Sequence, residues 1–153
     1  MSVLAVNKRV NFDYEILETF TAGIVLLGHE VKAVKNGQIS LASGYVTFKK
    51  SEMYLANVLI SKYKYAGPLP EYNPTRLRKI LLKKKEINRL VSKTNEAGLT
   101  LAPLKIYTKH SFIKLEFALV RGKKKYDKRE AIKKREIERN IRSFTKYKGD
   151  VRF

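Results

Sequence analysis

Residues able to carry acid–base, metal or nucleophilic chemistry are sparse in this sequence. His29 and Glu30 are adjacent at the start of a predicted helix, and the other histidine, His110, falls in a predicted turn. Two histidines this far apart, without H-E-x-x-H spacing, are a poor metal site. There is no cysteine, which excludes thiol catalysis and disulfides, and no phosphate-binding glycine loop or G-x-S-x-G motif. We therefore predict no enzyme activity, cofactor or metal, and expect Glu30 to pair with a cation such as Lys35.

The chemistry that the composition does favour is binding to a polyanion. Lys and Arg number 33 against 14 Asp and Glu, a formal net charge of +19. Such an excess suggests RNA, DNA or an anionic membrane as the partner. No apolar run approaches the ~20 residues of a spanning helix, and the N-terminus lacks the apolar core of a signal peptide. We expect a cytoplasmic protein that does not associate with membranes.

The charge is densest in "GKKKYDKREAIKKREIERN", residues 122–140. A solvated surface helix, a nuclear-localisation-like run and a membrane-surface helix are the alternatives to a nucleic-acid-binding arm. Tyr126 and Tyr147 lie within or near this charge, and an aromatic ring stacks on a base for ~1–3 kcal/mol. Either ring could instead simply pack. The aromatic residues favour nucleic acid over the other partners.

The elements that must position these residues are mostly strands in the first half of the chain. "FDYEILETF" alternates as a strand, and "GIVLLG" is typical of a strand buried on both faces. A short helix is predicted near 29–36, ended by Asn36 and Gly37. "YVTFKKSEMYLANVLI" is predicted to be a hairpin, with packing residues Tyr45, Phe48, Met53, Tyr54 and Leu55.

The second half predicts a long loop, a helix and another hairpin. "KYKYAGPLPEYNP" is rich in proline and predicts the loop. Asn73 and Pro74 are a typical helix start and Gly98 a plausible stop, so a helix is predicted over 74–97. Its apolar stripe comprises Leu77, Ile80, Leu81, Ile87, Leu90 and Val91. "LTLAPLKIY" and "FIKLEFALVRG" form the second predicted hairpin across "TKHS".

These elements predict a mainly β domain over residues 1–122, followed by a basic tail over 123–153. About six short strands without crossover helices favour a small antiparallel barrel with flanking helices. The tail has 13 Lys and Arg against 5 Asp and Glu, and a thin apolar stripe of Ile137, Ile141 and Phe144. Little in the tail offsets the entropy of ordering the backbone. We expect it to be disordered when free and to become helical on binding.

Several segments, in order, resemble the SmpB family, the SsrA-binding proteins that accompany transfer-messenger RNA in bacterial ribosome rescue. The resemblance runs collinearly from about Asn7 to Arg129, and the remaining tail agrees in charge and length. The segments that carry it are "NKRVNFDYEI", "AGIVLLGHEVKAVKNGQISL", "NPTRLRKILL", "GLTLAPLKIY" and "KLEFALVRGKKKYDKRE". It implies a six-stranded oligonucleotide-binding (OB) barrel with no catalysis of its own.

The resemblance also implies partners. In the family the barrel binds the tRNA-like domain of transfer-messenger RNA, and the tail enters the empty mRNA channel and the decoding centre of the small ribosomal subunit. Elongation factor Tu takes part through the RNA complex. A generic RNA-binding barrel protein and a basic, metal-dependent nuclease are the alternatives that composition leaves open.

Family positions that bind RNA can be matched onto this sequence. Lys114, Leu81 and Gly122 are the foremost of these, although Leu81 could equally pack in the core. Gly122 would permit close backbone approach or a φ that other residues avoid. The matched basic positions are Lys8, Arg9, Lys32 and Lys124.

In the tail, Tyr126, Asp127, Lys128 and Arg129 correspond to the family's decoding-centre segment, where an aromatic ring stacks on an rRNA base. Two positions depart from the family pattern: Thr21, where members often carry Glu, and Lys83, where Asn is common.

Overall fold

The computed structural model describes residues 1–96, 98–122, 137 and 139. The chain divides into two units, Met1–Gly122 and Lys123–Phe153, at the point where the composition becomes strongly basic. The fold described below is that of the first unit.

Nine strands and three helices make up this unit. The helices are α1 (Val10–Asp13), α2 (Gly28–Lys35) and α3 (Lys84–Thr94). The strands are β1 (Ser2–Val6), β2 (Tyr14–Ile24), β3 (Ile39–Ser40), β4 (Tyr45–Lys49), β5 (Glu52–Ala56), β6 (Leu59–Ile60), β7 (Arg78–Leu81), β8 (Leu99–Lys109) and β9 (Phe112–Gly122).

Six of the strands close into an antiparallel ring. Its order is β8-β4-β5-β7-β2-β9, and β9 pairs again with β8 to complete the circle. Strand β1 adds to β8 beside this ring, while β3 and β6 form a separate two-stranded sheet. The predicted six-stranded antiparallel barrel is therefore confirmed.

Alternating side chains fill the ring. Leu115, Phe117 and Leu119 of β9 point inward and are at most 4% exposed. The opposite face of β9 is covered too, because Ala118 and Val120 pack with Val10 of α1. Burial on both faces fixes the position of β9 relative to its neighbours, which matters for the residues at its ends.

The start of the chain differs from the prediction. The segment predicted as one strand from Phe12 to Phe20 begins instead with α1, and β2 continues past Phe20 to Ile24. The "GIVLLG" segment is not a strand buried on both faces: β2 ends within it, and Val25 and Leu27 are exposed. An apolar run bounded by glycines cannot distinguish a buried strand from a strand end that leads into a helix.

The predicted helix over 74–97 is wrong over its first ten residues, 74–83. Asn73 does form the expected local bonds, with Oδ1 accepting hydrogen bonds from the backbone N–H and the hydroxyl of Thr75 at 3.0 Å. The turn stops there, and the helix begins only at Lys84 as α3. Residues 78–81 form β7, where Arg78 and Ile80 are buried and Lys79 and Leu81 are exposed. The apolar residues of this segment fit the helical period of 3.6 as well as the strand period of 2. Its pairing with β2 and β5 favours the strand.

Both predicted hairpins are present, and both turn at a two-residue loop. Lys50 and Ser51 have φ of 50° and 64°, and His110 and Ser111 have φ of 50° and 68°. Positive φ at both central residues is typical of the type I′ turn, which matches strand twist. Tyr45 and Phe48, predicted to pack, are exposed. Tyr45 lies on the face of β4 opposite buried Val46, and Phe48 lies beside the turn at the end of the strand.

Candidate nucleic-acid interface

A row of three residues crosses the junction of β9, β2 and β7. Lys114 is the cross-strand partner of Gly23, and Gly23 is in turn the partner of Leu81. Register partners share one face of a sheet, and the flanking residues Ala22 and Ile80 are buried, so this row faces outward. The strand pairing thus brings together two of the foremost RNA-binding candidates, although 33 residues separate them in sequence.

Gly23 is the member of this row that the sequence analysis missed. A Cβ added there would lie 3.3 Å from Leu81 Cδ1, closer than side chains normally approach. The missing side chain lets Leu81 lie over β2 while remaining 52% exposed. Of the two readings of Leu81, core packing is therefore wrong, and it lies on the surface beside Lys114.

Lys114 differs from nearby lysines in its ion pairing. Lys105 Nζ lies 3.2 Å from Glu116 Oε2, and Lys79 Nζ lies 3.0 Å from Glu52 Oε1. Across residues 1–96 and 98–122, no carboxylate forms a salt bridge with Lys114. The half-buried Lys114 thus presents an ammonium group that is not neutralised by these residues.

A basic groove of about 570 Å³ begins beside Leu81. It lies between the β4–β5 turn and the segment that joins β7 to α3. Four lysines and one glutamate contribute to its lining, together with apolar residues such as Leu82 and Ile87; the charged members are Lys50, Glu52, Lys79, Lys83 and Lys84. None of these four lysines was among the predicted contacts, because their convergence depends on the position of β7.

Thr21 and Lys83, the two positions that the sequence analysis singled out as departures, line two different depressions of the surface. Lys83 lines the basic groove. Thr21, on β2, lies in a second depression of about 200 Å³ with Arg89 and Glu86 of α3. Thr21 is also the cross-strand partner of Glu116, which is paired with Lys105. Thr21 and Lys83 make the surface more positive than the Glu and Asn that the resemblance leads us to expect at these positions.

Three other predicted residues are associated with α1. Lys8 and Arg9 are exposed in the turn before this helix. Buried Asn7 fixes the turn: its side-chain amide donates to Pro103 O at 2.9 Å and Leu41 O at 3.3 Å, while Oδ1 accepts from the Arg9 N–H. Gly122 pairs with Tyr14, the residue after α1. Its φ is not positive, so that explanation of the glycine is wrong, whereas its exposed position with open space around Cβ is compatible with close approach by a partner.

Lys32 lies on another element, α2. It is exposed, and its Nζ lies 5.7 Å from the centre of the Tyr63 ring. The remaining predicted residues, Lys124, Tyr126, Asp127, Lys128, Arg129, Ile141 and Phe144, lie outside the described residues. Ile137 is helical and exposed.

The structure also contains a buried ionic cluster that the sequence did not predict. Glu30 of α2 pairs with Arg78 of β7 and with Arg76, not with Lys35. Arg78 and Glu30 are fully buried, and Tyr72 donates its hydroxyl hydrogen to Glu30 Oε2 at 2.9 Å. Arg78 also donates to the carbonyls of Val58 and Pro74. The cluster fixes the loop over 61–77 to α2. In the sequence, the arginines at alternate positions 76 and 78 were the pattern from which a strand entering the core could have been predicted.

The environment of Glu30 determines its ionisation. Burial alone would raise its pKa, but hydrogen bonds from Arg76, the Leu27 N–H and Arg78 outweigh burial and lower the pKa from 4.5 to about 2. Burial and the bond to Glu30 raise the pKa of Tyr72. The carboxylate is thus ionised at neutral pH, and its lone pairs are engaged by Arg76, Arg78, Tyr72 and a backbone N–H. It is a structural group rather than an acid–base group.

The histidines are not brought together. His29 packs edge-on against Tyr72, with ring centres 4.5 Å apart, while His110 is in the β8–β9 turn. Among the residues that the structure describes, no group of three or more His, Asp or Glu could hold a metal ion. The helices of that same part of the chain are all too short or too polar to span a membrane.

Comparison with known proteins identifies relatives over nearly the full length. A family model described as "SmpB protein" matches residues 4–147. A protein of Pseudothermotoga lettingae named "SsrA-binding protein" is 48% identical over 96% of this chain and 99% of its own length. One of the same name from Mesoplasma florum is 47% identical over 95% of this chain and 97% of its own length.

A solved structure agrees with the fold. One chain of the structure described as "tmRNA-SmpB: a journey to the center of the bacterial ribosome" superposes with a TM-score of 0.68 and 40% identity. The similarity covers 86% of this chain and 95% of that one.

Proposed function

This chain belongs to the SmpB protein family, and on that basis we propose that it binds transfer-messenger RNA and acts with it in trans-translation on the ribosome. The names of its relatives refer to SsrA binding, and its structural neighbour is described as a tmRNA–SmpB complex of the bacterial ribosome. Its function is to bind RNA in the cytoplasm, without catalysis or a cofactor.

The observation that carries the proposal for the barrel is the Lys114–Gly23–Leu81 row. It combines an ammonium group that no described carboxylate neutralises, a glycine over which Leu81 lies, and the exposed apolar side chain of that leucine. Such a combination suits an RNA in which a phosphate and a sugar or base edge lie side by side. We assign this row, continued by the basic groove, to the tRNA-like domain. Lys8, Arg9, Lys32, Gly122 and Lys124 supply further contacts.

The tail is assigned to the ribosome by the family resemblance. In this proposal residues 123–153 enter the empty mRNA channel, and Tyr126 stacks on an rRNA base at the decoding centre, with Asp127, Lys128 and Arg129 beside it. The stripe of Ile137, Ile141 and Phe144 becomes the apolar face of a helix there. Elongation factor Tu joins through the aminoacylated RNA.

Competition binding at about 200 mM salt tests the proposal, because non-specific affinity is strongly reduced at that concentration. Labelled tRNA-like domain of transfer-messenger RNA competes against ordinary tRNA and a single-stranded oligonucleotide. We expect strong preference for the tRNA-like domain, recovered at full length. Equal binding to all three would replace the proposal by a generic RNA-binding function, and shortened RNA would indicate a nuclease.

A further inference from the structure

A second surface combines exposed aromatic rings with lysines, on elements other than those of the Lys114 row. It consists of Lys62, Tyr63, Lys64 and Tyr65 in the loop after β6, together with Lys32 of α2. Tyr65 is 74% exposed, and all three lysines are exposed. No acidic residue occurs between Ser61 and Pro70. We define these five residues as the tyrosine patch.

The two rings are arranged as a supported platform. Tyr63 is half-buried and packs against the main core, so its position is set by the barrel. Its ring centre lies 5.6 Å from that of Tyr65, at an angle of 69°. Lys32 Nζ lies 5.7 Å from the Tyr63 ring centre, and Lys64 Nζ lies 5.5 Å from that of Tyr65. An ordered ring thus supports an exposed ring, with cations beside both.

The loop is fixed at both ends of the patch, which reduces the entropy lost when a partner binds. Before the patch, the Ser61 N–H donates to Gln38 O at 3.1 Å. After it, the Tyr72 hydroxyl oxygen lies 2.8 Å from Ile60 O, and Tyr72 belongs to the Glu30 cluster. Within it, the Ala66 N–H donates to Tyr63 O at 3.1 Å. The buried ionic cluster therefore has a consequence at the surface, because it fixes the far end of the loop that carries Tyr65.

We infer that the tyrosine patch is a second RNA-binding site, in which an unpaired base stacks on Tyr65 while Lys32, Lys62 and Lys64 bind the adjoining phosphates. An exposed phenol ring surrounded by cations is the chemistry that recognises single-stranded RNA with little sequence preference. The surplus of positive charge opposes binding to a basic protein surface. The inference extends the proposed function, on which it rests for the class of partner.

Tyr65→Trp is a direct test, because the chain contains no tryptophan and the variant acquires a single indole at the proposed stacking position. The probe is a single-stranded adenine oligonucleotide about ten nucleotides long. We expect saturable quenching of the indole fluorescence as the base stacks. Tyr45→Trp is the matched control: Tyr45 is 48% exposed on β4, and its indole is expected to remain unquenched.

Affinity provides the second readout. Tyr65→Ala is expected to weaken oligonucleotide binding about fivefold or more, the factor that corresponds to loss of one stacked base, whereas Tyr65→Phe retains the ring and the affinity. Because Tyr65 is exposed, neither change should affect folding. Absence of quenching at position 65, or equal affinity of the alanine variant and the wild type, would overturn the inference. Neither outcome depends on preference for the tRNA-like domain, so failure of the proposed function is detected separately.

Discussion

The contribution of a lysine of this protein to phosphate binding depends on whether a carboxylate lies beside it. Lys105 and Lys79 form ion pairs with glutamates of the sheet, so binding of a phosphate to either must compete with an existing ion pair. Lys114 has no such competitor among the described residues, and its half-buried stem is held between Gly23 and Tyr107 on the adjoining strands. A positioned ammonium group without a competing carboxylate can form a charge-assisted hydrogen bond with a phosphate.

Lys114→Ala should therefore weaken binding of the tRNA-like domain by roughly 1 kcal/mol, about fivefold, and reduce the slope of log affinity against log salt by ~1. Titrations at several salt concentrations measure both quantities. Lys109→Ala removes the same charge at the exposed end of the same hairpin and serves as control. If the two variants behave identically, Lys114 contributes only to the overall charge.

Glu30 is the residue whose ionisation contributes most clearly to stability. Its folded-state pKa of about 2 lies below the ordinary value of 4.5. A lowered carboxyl pKa contributes stability that is fully present above pH 4.5 and is lost as the pH falls through 2, because the unfolded state binds the proton first. The difference corresponds to about 3 kcal/mol.

Glu30→Gln removes this contribution and leaves Arg78 buried without a counter-ion, which costs about 3–5 kcal/mol at neutral pH. We expect the difference in unfolding free energy between wild type and variant to narrow by about 3 kcal/mol between pH 4.5 and 2. Urea denaturation across that range measures it. Glu52→Gln, at an exposed pair with Lys79, is the control and should change much less. A difference that is independent of pH would contradict the assigned pKa.

At the scale of elements, the two hairpin turns adopt a conformation that their residues do not favour. Ser111 has φ of 68°, in the left-handed region where glycine is unstrained. Ser111→Gly should therefore raise the free energy of unfolding by a few tenths of a kcal/mol to about 1 kcal/mol, as measured by thermal denaturation. Lys109→Gly, in extended backbone of the same hairpin, should lower it. A destabilising Ser111→Gly would show that the Ser111 side chain matters more than the turn geometry.

Local signals predicted those elements whose local and tertiary preferences agree. Both hairpins and α2 were predicted because alternation, turn residues and Asn36-Gly37 all favour what is observed. The strand β7 was missed because Asn73-Pro74 is a typical helix start and Leu77, Ile80 and Leu81 fit a helical stripe. Its identity depends on partners more than 20 residues away in sequence, β5 and β2, and on the burial of Arg78 against Glu30.

In the candidate site, too, local patterns could be predicted and features that depend on strand pairing could not. Lys114 could be placed on an outward face from alternation with Leu115 alone. Its neighbours could not: Gly23 and Leu81 join it through strand pairing, and Lys50, Lys79 and Lys84 converge only because β7 lies beside the β4–β5 turn. The Glu30 cluster could not be predicted either, because Glu30 is 42 to 48 residues away from its partners Tyr72, Arg76 and Arg78.

At the scale of the whole molecule, the positive charge is divided between two units that differ in how many apolar residues they have to form a core. Residues 1–122 carry 20 basic and 9 acidic residues around a closed ring with its own core. Residues 123–153 carry 13 basic and 5 acidic residues but few apolar ones. The barrel unit can therefore present a shaped surface without the tail, and the two units suit two successive partners.

Deletion of residues 130–153 should separate these roles. Every described contact of the Lys114 row and the basic groove lies within 1–122, so affinity for the tRNA-like domain should remain within about twofold of wild type even though several positive charges are lost. Tagging on stalled ribosomes in a reconstituted translation reaction should be abolished, because the mRNA channel is left empty. Full-length Lys114→Ala is the complementary variant: it should lose RNA affinity and recover tagging at raised protein concentration, which the truncated chain cannot do. A large loss of RNA affinity on truncation would contradict the division, since it would mean that the tail and the barrel bind the same RNA together.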